Sequence, residues 1–354
     1  FKSPFIGGLG SMFLHGVGGE LGDAPLADGF AISATSFALF QGMFAIITPA
    51  LISGAVVERI NFKAWFWFSL LWSLFIYCPM CHMVWGGGYI GPFGEIGAID
   101  FAGGTVVHIA AGVAALVSAA IVGPRSSYPE ASRPPHNVPF ILLGAGLLWF
   151  GWFGFNGASY FAAKGAGFSF LTTTASASAA LLTWCLIEWF TDGKPTAVGA
   201  ATGAVAGLVG ITPAAGFVYM GPALLIGALS ATACLIAVRV KIATKLDDSL
   251  DAFMVHGIGG TVGALLTGLL AAPALVPADY FPKSAEILAK GGNIALFGAQ
   301  VKAVLITFGF VGLGTAIILW IVGSVVGLRV SPKEEERGLD FVAHGEEAYD
   351  PMTF

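Results

Sequence analysis

Two of the chain's six histidines, His108 and His256, are read as lying in hydrocarbon inside long apolar runs. The first is in Asp100-Phe-Ala-Gly-Gly-Thr-Val-Val-His108-Ile-Ala-Ala-Gly112, the second in Val255-His256-Gly-Ile-Gly-Gly260. A charged side chain in hydrocarbon costs about 2.5–3.5 kcal/mol on insertion scales. Such imidazoles are therefore read as neutral, each with one donor and one acceptor. Two facing rings satisfy each other and still offer contacts to a small polar passenger. The bland alternative is a structural histidine bonded to a backbone carbonyl. Two histidines at equivalent places in a repeat weigh against it.

Helical rise puts His108 about 12 Å along the axis from Asp100, with the side chains turned about 80° apart. Asp100 is then a helix N-cap that accepts backbone N–H groups near Gly103, not a partner for His108. An acid at the edge of a hydrocarbon layer about 30 Å thick leaves this histidine near mid-depth. His256 follows Asp251 by only five residues, about 7.5 Å. With both acids at the surface the rings would miss by about 10 Å in depth. Contact requires Asp251, Asp247 or Asp248 to be submerged, or the helices to tilt.

Aromatic residues form a second set of candidates. Phe40 and Phe44 are one turn apart on one helix face. Phe155 closes Trp149-Phe-Gly-Trp152-Phe-Gly-Phe155-Asn156, where glycines let rings approach another helix. With 29 Phe in the chain, core or lipid contact is the default for any one of them. Trp85 ends an apolar run before Gly86-Gly87-Gly88. It reads either as an interfacial belt residue or as a cation–π platform at a pore mouth. Ser159 supplies a hydroxyl that can accept from a cation. Cys78-Pro-Met-Cys81-His82 imitates a metal or redox pair, but no second pair completes a closed site. Packing thiols are expected, with no metal and no cofactor.

The elements that must hold these residues are membrane spans. Of 354 residues, 56% are hydrophobic and 10% charged, against about 25% charged in soluble domains. A net charge of −5 without a basic patch argues against a nucleic-acid partner. Apolar runs at 30–57, 64–85, 101–122, 138–158, 167–190, 196–217, 220–240, 252–272 and 295–328 are each about long enough to cross a bilayer. Nine crossings sort the basic residues. Arg59, Lys63, Arg125, Arg133, Lys194, Arg239, Lys241, Lys245, Arg329, Lys333 and Arg337 fall on one side; Lys2, Lys164, Lys283 and Lys290 fall on the other. The first side, with the C-terminus, is expected to be cytoplasmic.

The divisions expected are an external loop over 1–29, three spans over 30–122, a proline-rich cytoplasmic linker over 123–137, five spans over 138–272, an external loop over 273–294, a long final helix over 295–328 and a cytoplasmic tail over 329–354. The Val-His-x-x-x-Gly echo enters the membrane from opposite sides in its two copies. That is the pattern of an inverted repeat with a site near the midplane. The chain starts at Phe1 without a signal-like leader, so it reads as a piece whose true start is missing.

His82-Met-Val-Trp85-Gly-Gly-Gly88, Asp100-Phe-Ala-Gly-Gly-Thr-Val-Val-His108, Gly151-Trp-Phe-Gly-Phe155-Asn156, Val255-His256-Gly and Gly338-Leu-Asp-Phe-Val-Ala-His344-Gly-Glu346 resemble the ammonium transporter (Amt/Mep/Rh) family, on its Amt side. The resemblance runs in order from about residue 30 to the tail. It implies an all-α polytopic membrane protein of two inverted five-helix halves plus a long helix, eleven spans in all, assembled as a homotrimer in the plasma membrane. Nine spans here imply that the first two are absent. The resemblance also implies roles. Trp85 and Ser159, with Phe40 beside them, would recruit ammonium. Phe44 and Phe155 would form a ring gate. His108 and His256 would line the pore, with Asp100 and Trp152 as structural residues near the site. A PII-type signalling protein is the regulatory partner it implies for the tail.

The function expected is transport of ammonium, deprotonated at the gate and conducted as ammonia with or without the proton, and not an enzyme. Alternatives are a passive ammonia or Rh-type gas channel, an ammonium sensor, and a membrane metalloenzyme, which would need further ligands beside the histidines.

Overall fold

Short polar side chains open the helices of the computed structural model, which describes residues 3–15, 17, 32–128, 135–244 and 246–347. Ser33 accepts from the Ser36 N–H at the start of α1 (Ala34–Ser53). Asn61 accepts from Lys63 N–H at the start of α2 (Phe62–Val84). α3 (Gly104–Val122) is followed by α4 (Val138–Tyr160), where Asn137 accepts from Phe140 N–H and Pro139 occupies the first turn. α5 (Ala163–Asp192) precedes α6 (Ala197–Ile211), capped by Thr196. α7 (Met220–Ile242), α8 (Phe253–Leu270), α9 (Pro282–Val326) and the short α10 (Pro332–Arg337) complete the order. Each cap supplies an acceptor to N–H groups that the first turn leaves unbonded.

Among the described residues, eight helices are long and apolar enough to cross a membrane. The protein is therefore an all-α, multi-span membrane protein. Within the run expected to cross at 196–217, the helix itself is shorter than the run. There α6 stops after 15 residues and the chain continues in turns to Phe217. Pro213 explains the stop, since it has no N–H to continue the ladder. α9 begins inside the stretch expected as a loop. Gly292, at φ 63° and ψ −164°, separates its first turns from the long apolar part, and that conformation is open to glycine alone.

α3 lies at the centre, almost wholly buried, packed by α1, α8 and α9. α5, α6 and α7 pack tightly together beside it. Small residues permit this closeness, as is usual where helices associate in lipid. Three π-helical turns interrupt the spans, at Ser73–Tyr77, Gly104–Ile109 and Phe253–Gly257, and the last two carry His108 and His256.

At the end of the molecule where α9 finishes, a buried arginine ties four segments together. Arg59 is fully buried and donates to the carbonyls of Ala55, Gly123 and Asp247 and to Ser249 Oγ. Arg125 pairs with Asp247 at 2.8 Å and with Glu58 at 2.6 Å. The segment after α9 docks here. Val330 N–H donates to Arg59 O, and Glu335 accepts from Ser126 N–H and Arg329. Of the basic residues counted by side, Lys2, Arg133 and Lys245 lie outside the described residues, as do most of 1–29, part of the 123–137 linker and the last residues of the tail.

Candidate functional site

Asp100 builds the entrance to α3. Its Oδ1 accepts from Gly103 N–H at 2.8 Å and Gly104 N–H at 2.6 Å. Its Oδ2 accepts from Thr105 N–H at 2.7 Å, Val106 N–H at 3.1 Å and the Thr105 hydroxyl. Gly103 makes this possible at φ 119°, a conformation that L side chains avoid. The Asp100 carbonyl in turn accepts from Trp85 Nε1–H at 2.8 Å. The carboxylate thus fixes a helix start, and through its carbonyl it fixes the tryptophan.

A line of rings runs inward from that tryptophan. Trp85 meets Phe44 edge-on at 5.5 Å between centroids. Phe44 also meets Phe40 edge-on at 4.9 Å and Phe155 at 4.5 Å with a 47° tilt. Phe155 lies 5.7 Å from the His108 ring at an angle of 16°. His108 stacks on Trp152 at 5.3 Å and on His256 at 5.2 Å. The two histidines touch through Nδ1 and Nδ1 at 3.2 Å. Ser159 is one turn beyond Phe155 and donates to its carbonyl at 2.8 Å, which leaves the hydroxyl's lone pairs as acceptors.

Thr212 sets the sense of the hydrogen bonds around His108. Its hydroxyl donates to Leu208 O at 2.7 Å and accepts from Trp152 Nε1–H at 2.9 Å. His108 Nε2 lies 3.3 Å from the same oxygen. With the one hydroxyl hydrogen committed to Leu208, Nε2 is assigned as the donor. A neutral His108 then accepts at Nδ1, and His256 donates to it from Nδ1–H. His256 keeps an unprotonated Nε2. Thr212 was not singled out from the sequence; the signal was a lone hydroxyl beside Pro213 at the end of an apolar run.

The second copy of the motif repeats the first with a different acid. Asp248, fully buried, accepts from Ala252 N–H at 2.9 Å and Phe253 N–H at 2.8 Å. It precedes His256 by eight residues, as Asp100 precedes His108. Asp251, the acid first aligned with Asp100, instead sits at φ 57° and pairs with Lys241. Equal spacing from equivalent caps removes the depth mismatch inferred from Asp251, and the rings meet. Among the described residues, no group of three or more His, Cys, Asp or Glu side chains is placed to hold a metal.

Helices that cross a bilayer and bury two touching imidazoles behind a file of aromatic rings define a polytopic membrane protein with a narrow polar point in an apolar interior. A model of the Ammonium Transporter Family matches residues 8–349. An ammonium transporter of Bacillus subtilis is 44% identical over 352 residues, covering 98% of this chain and 83% of that protein. One of Aquifex aeolicus is 47% identical over 316 residues, covering 88% and 71%. The crystal structure of Saccharomyces cerevisiae Mep2 superposes with a TM-score of 0.80 at 34% identity, covering 93% of this chain and 73% of that one. The chain belongs to the ammonium transporter family, whose members are transporters and not enzymes.

Proposed function

We propose that this chain moves ammonium across the plasma membrane, entering at the Trp85 end and leaving at the end where α9 finishes. The excess of Lys and Arg at the latter end supports its being cytoplasmic. Trp85 offers a π face to the cation, Ser159 an accepting oxygen, and Phe40 closes the side of this recruitment site. Phe44 and Phe155 form an apolar gate that strips water. A bare cation beyond that gate is costly. Ammonium can shed a proton and potassium cannot, so deprotonation at the gate separates them. Ammonia then passes along His108 and His256, and the pair relays the proton. Asp100 and Trp152 hold the surrounding frame. Residues 30–122 and 138–272 form the two inverted halves in this reading, with a homotrimer as the assembly. The tail over 329–354 is the contact for a PII-type regulator.

The observation that carries the reading is the 3.2 Å histidine contact directly behind Phe155. The test is made in proteoliposomes. Ammonium-evoked current that potassium does not evoke is expected, and it should disappear in a variant with both histidines replaced by Ala. Ammonia movement without current would assign a neutral gas channel instead. Deleting 330–354 is expected to lower activity or coupling between subunits; unchanged transport removes the regulatory role.

A further inference from the structure

Each histidine segment reaches the other through a glycine four residues beyond the opposite histidine. Gly112 follows His108, and Gly260 follows His256, by four residues. A Cβ at position 112 would overlap the backbone N and Cα of Gly257 and lie 3.1 Å from the carbonyl carbon of His256. A Cβ at position 260 would lie 3.0 Å from His108 Cβ, 3.1 Å from Ile109 Cγ1 and 3.2 Å from Gly104 O. Neither glycine has a positive φ. Backbone freedom therefore does not require glycine at either place; the close approach does.

We propose that Gly112 and Gly260 are positioning residues, each the socket for the histidine-bearing segment of the opposite half. Together they set the spacing of His108 and His256, and through it the selectivity of the passage. The proposal rests on the reading that this pair lines the conduit. The sockets are unequal. Position 112 meets backbone, which has no rotamer to yield. Position 260 is less crowded: its contacts begin at 3.0 Å, whereas a Cβ at position 112 would overlap backbone, so a shift of a few tenths of an ångström accommodates a methyl at 260. A side-chain contact at 3.2 Å has little reserve, because by about 3.6 Å it is no longer a hydrogen bond.

The test uses Gly112→Ala, Gly260→Ala and Gly260→Val in the full chain. Each variant is taken through structure determination and through transport of ammonium and methylammonium across a range of pH. Gly203→Ala serves as the control, because Gly203 packs as closely on Trp184 but away from the pair. Gly260→Ala should keep the histidine contact, with a shifted pH profile and methylammonium-to-ammonium ratio. Gly112→Ala and Gly260→Val should open the contact and lower ammonium transport about tenfold, the size of one lost hydrogen bond. Gly203→Ala should alter yield or thermal stability and leave pH profile and ratio unchanged. If Gly112→Ala fails to fold, the graded Ala and Val pair at position 260 carries the test. Contacts and profiles unchanged in the variants at 112 and 260 overturn the proposal. An opened contact with unchanged transport keeps the positioning role and instead sinks the reading of the pair as the conduit.

Discussion

The segments Asp100–Gly112 and Asp248–Gly260 have the same acid, histidine and glycine spacing, yet they are held very differently. Asp100 accepts four backbone N–H groups and a hydroxyl; Asp248 accepts two N–H groups. His108 is 1% exposed and is engaged by Thr212, Trp152, Phe155 and His256. His256 is half-buried, and His108 is its hydrogen-bonding partner. One copy sits at the inner end of the aromatic file, held by several partners. The other meets it from the opposite half with fewer hydrogen bonds to its acid and its histidine. A shared motif thus sets depth and register, while the surroundings divide the labour between the copies.

The sharpest way to break the comparison is to remove each acid. Asp100→Ala leaves four N–H groups without an acceptor, at about 1–3 kcal/mol for each donor that stays dry. It should abolish transport and cut the yield of folded protein, by more than Asp248→Ala does. Equal losses in purified protein and uptake assays would erase the asymmetry. Thr212→Val comes next. It frees His108 and strands Trp152 Nε1–H, about 1–3 kcal/mol for that donor, and should lower uptake with a smaller loss of thermal stability.

Acidification probes the opposite end. Burial alone would raise the Asp247 carboxyl, but the hydrogen bonds from Arg125 outweigh it and hold the group below its ordinary 3.8. Burial likewise opposes ionisation of Glu335, and Arg329 and the Ser126 N–H hold it below 4.5. Depressed carboxyls stabilise fully above their unfolded values, and that contribution is lost as pH falls through the folded ones. The 329–345 segment should stay docked at neutral pH and come loose only below about pH 4, read as cleavage by an acid-active protease. Arg125→Ala should loosen it already at pH 7, because breaking one side of a buried pair leaves Asp247 uncompensated. The smallest effect is expected of Ser159→Ala. It removes one accepting hydroxyl and should raise the apparent KM for ammonium about threefold at unchanged maximal rate, within the range of a single hydrogen bond.

The span pattern was legible because hydrocarbon demands long apolar runs, and Asp100 was legible as a cap because its spacing to Gly103 is local. Asp248 was one of three acids named for submersion, but Asp251 was the one aligned with Asp100. Three acids within five residues offer no local signal for which one turns inward, and the choice is made by Lys241 taking Asp251. Thr212 was missed because its partners come from α4, α3 and its own preceding turn, a meeting that exists only after folding. Pro213 was in plain view, yet the apolar run around it gave no sign that the helix would end at Ile211.

The hydroxyl of Thr212 has a consequence for traffic through the interior. With its hydrogen given to Leu208, both nitrogens of the ring behind Phe155 are spoken for, and the one vacant lone pair belongs to the ring behind it. In this arrangement the nearer imidazole has no acceptor lone pair to spare. Turning that single O–H bond toward Nε2 would call for the opposite tautomer of His108, while the indole of Trp152, which can only donate, would keep its bond.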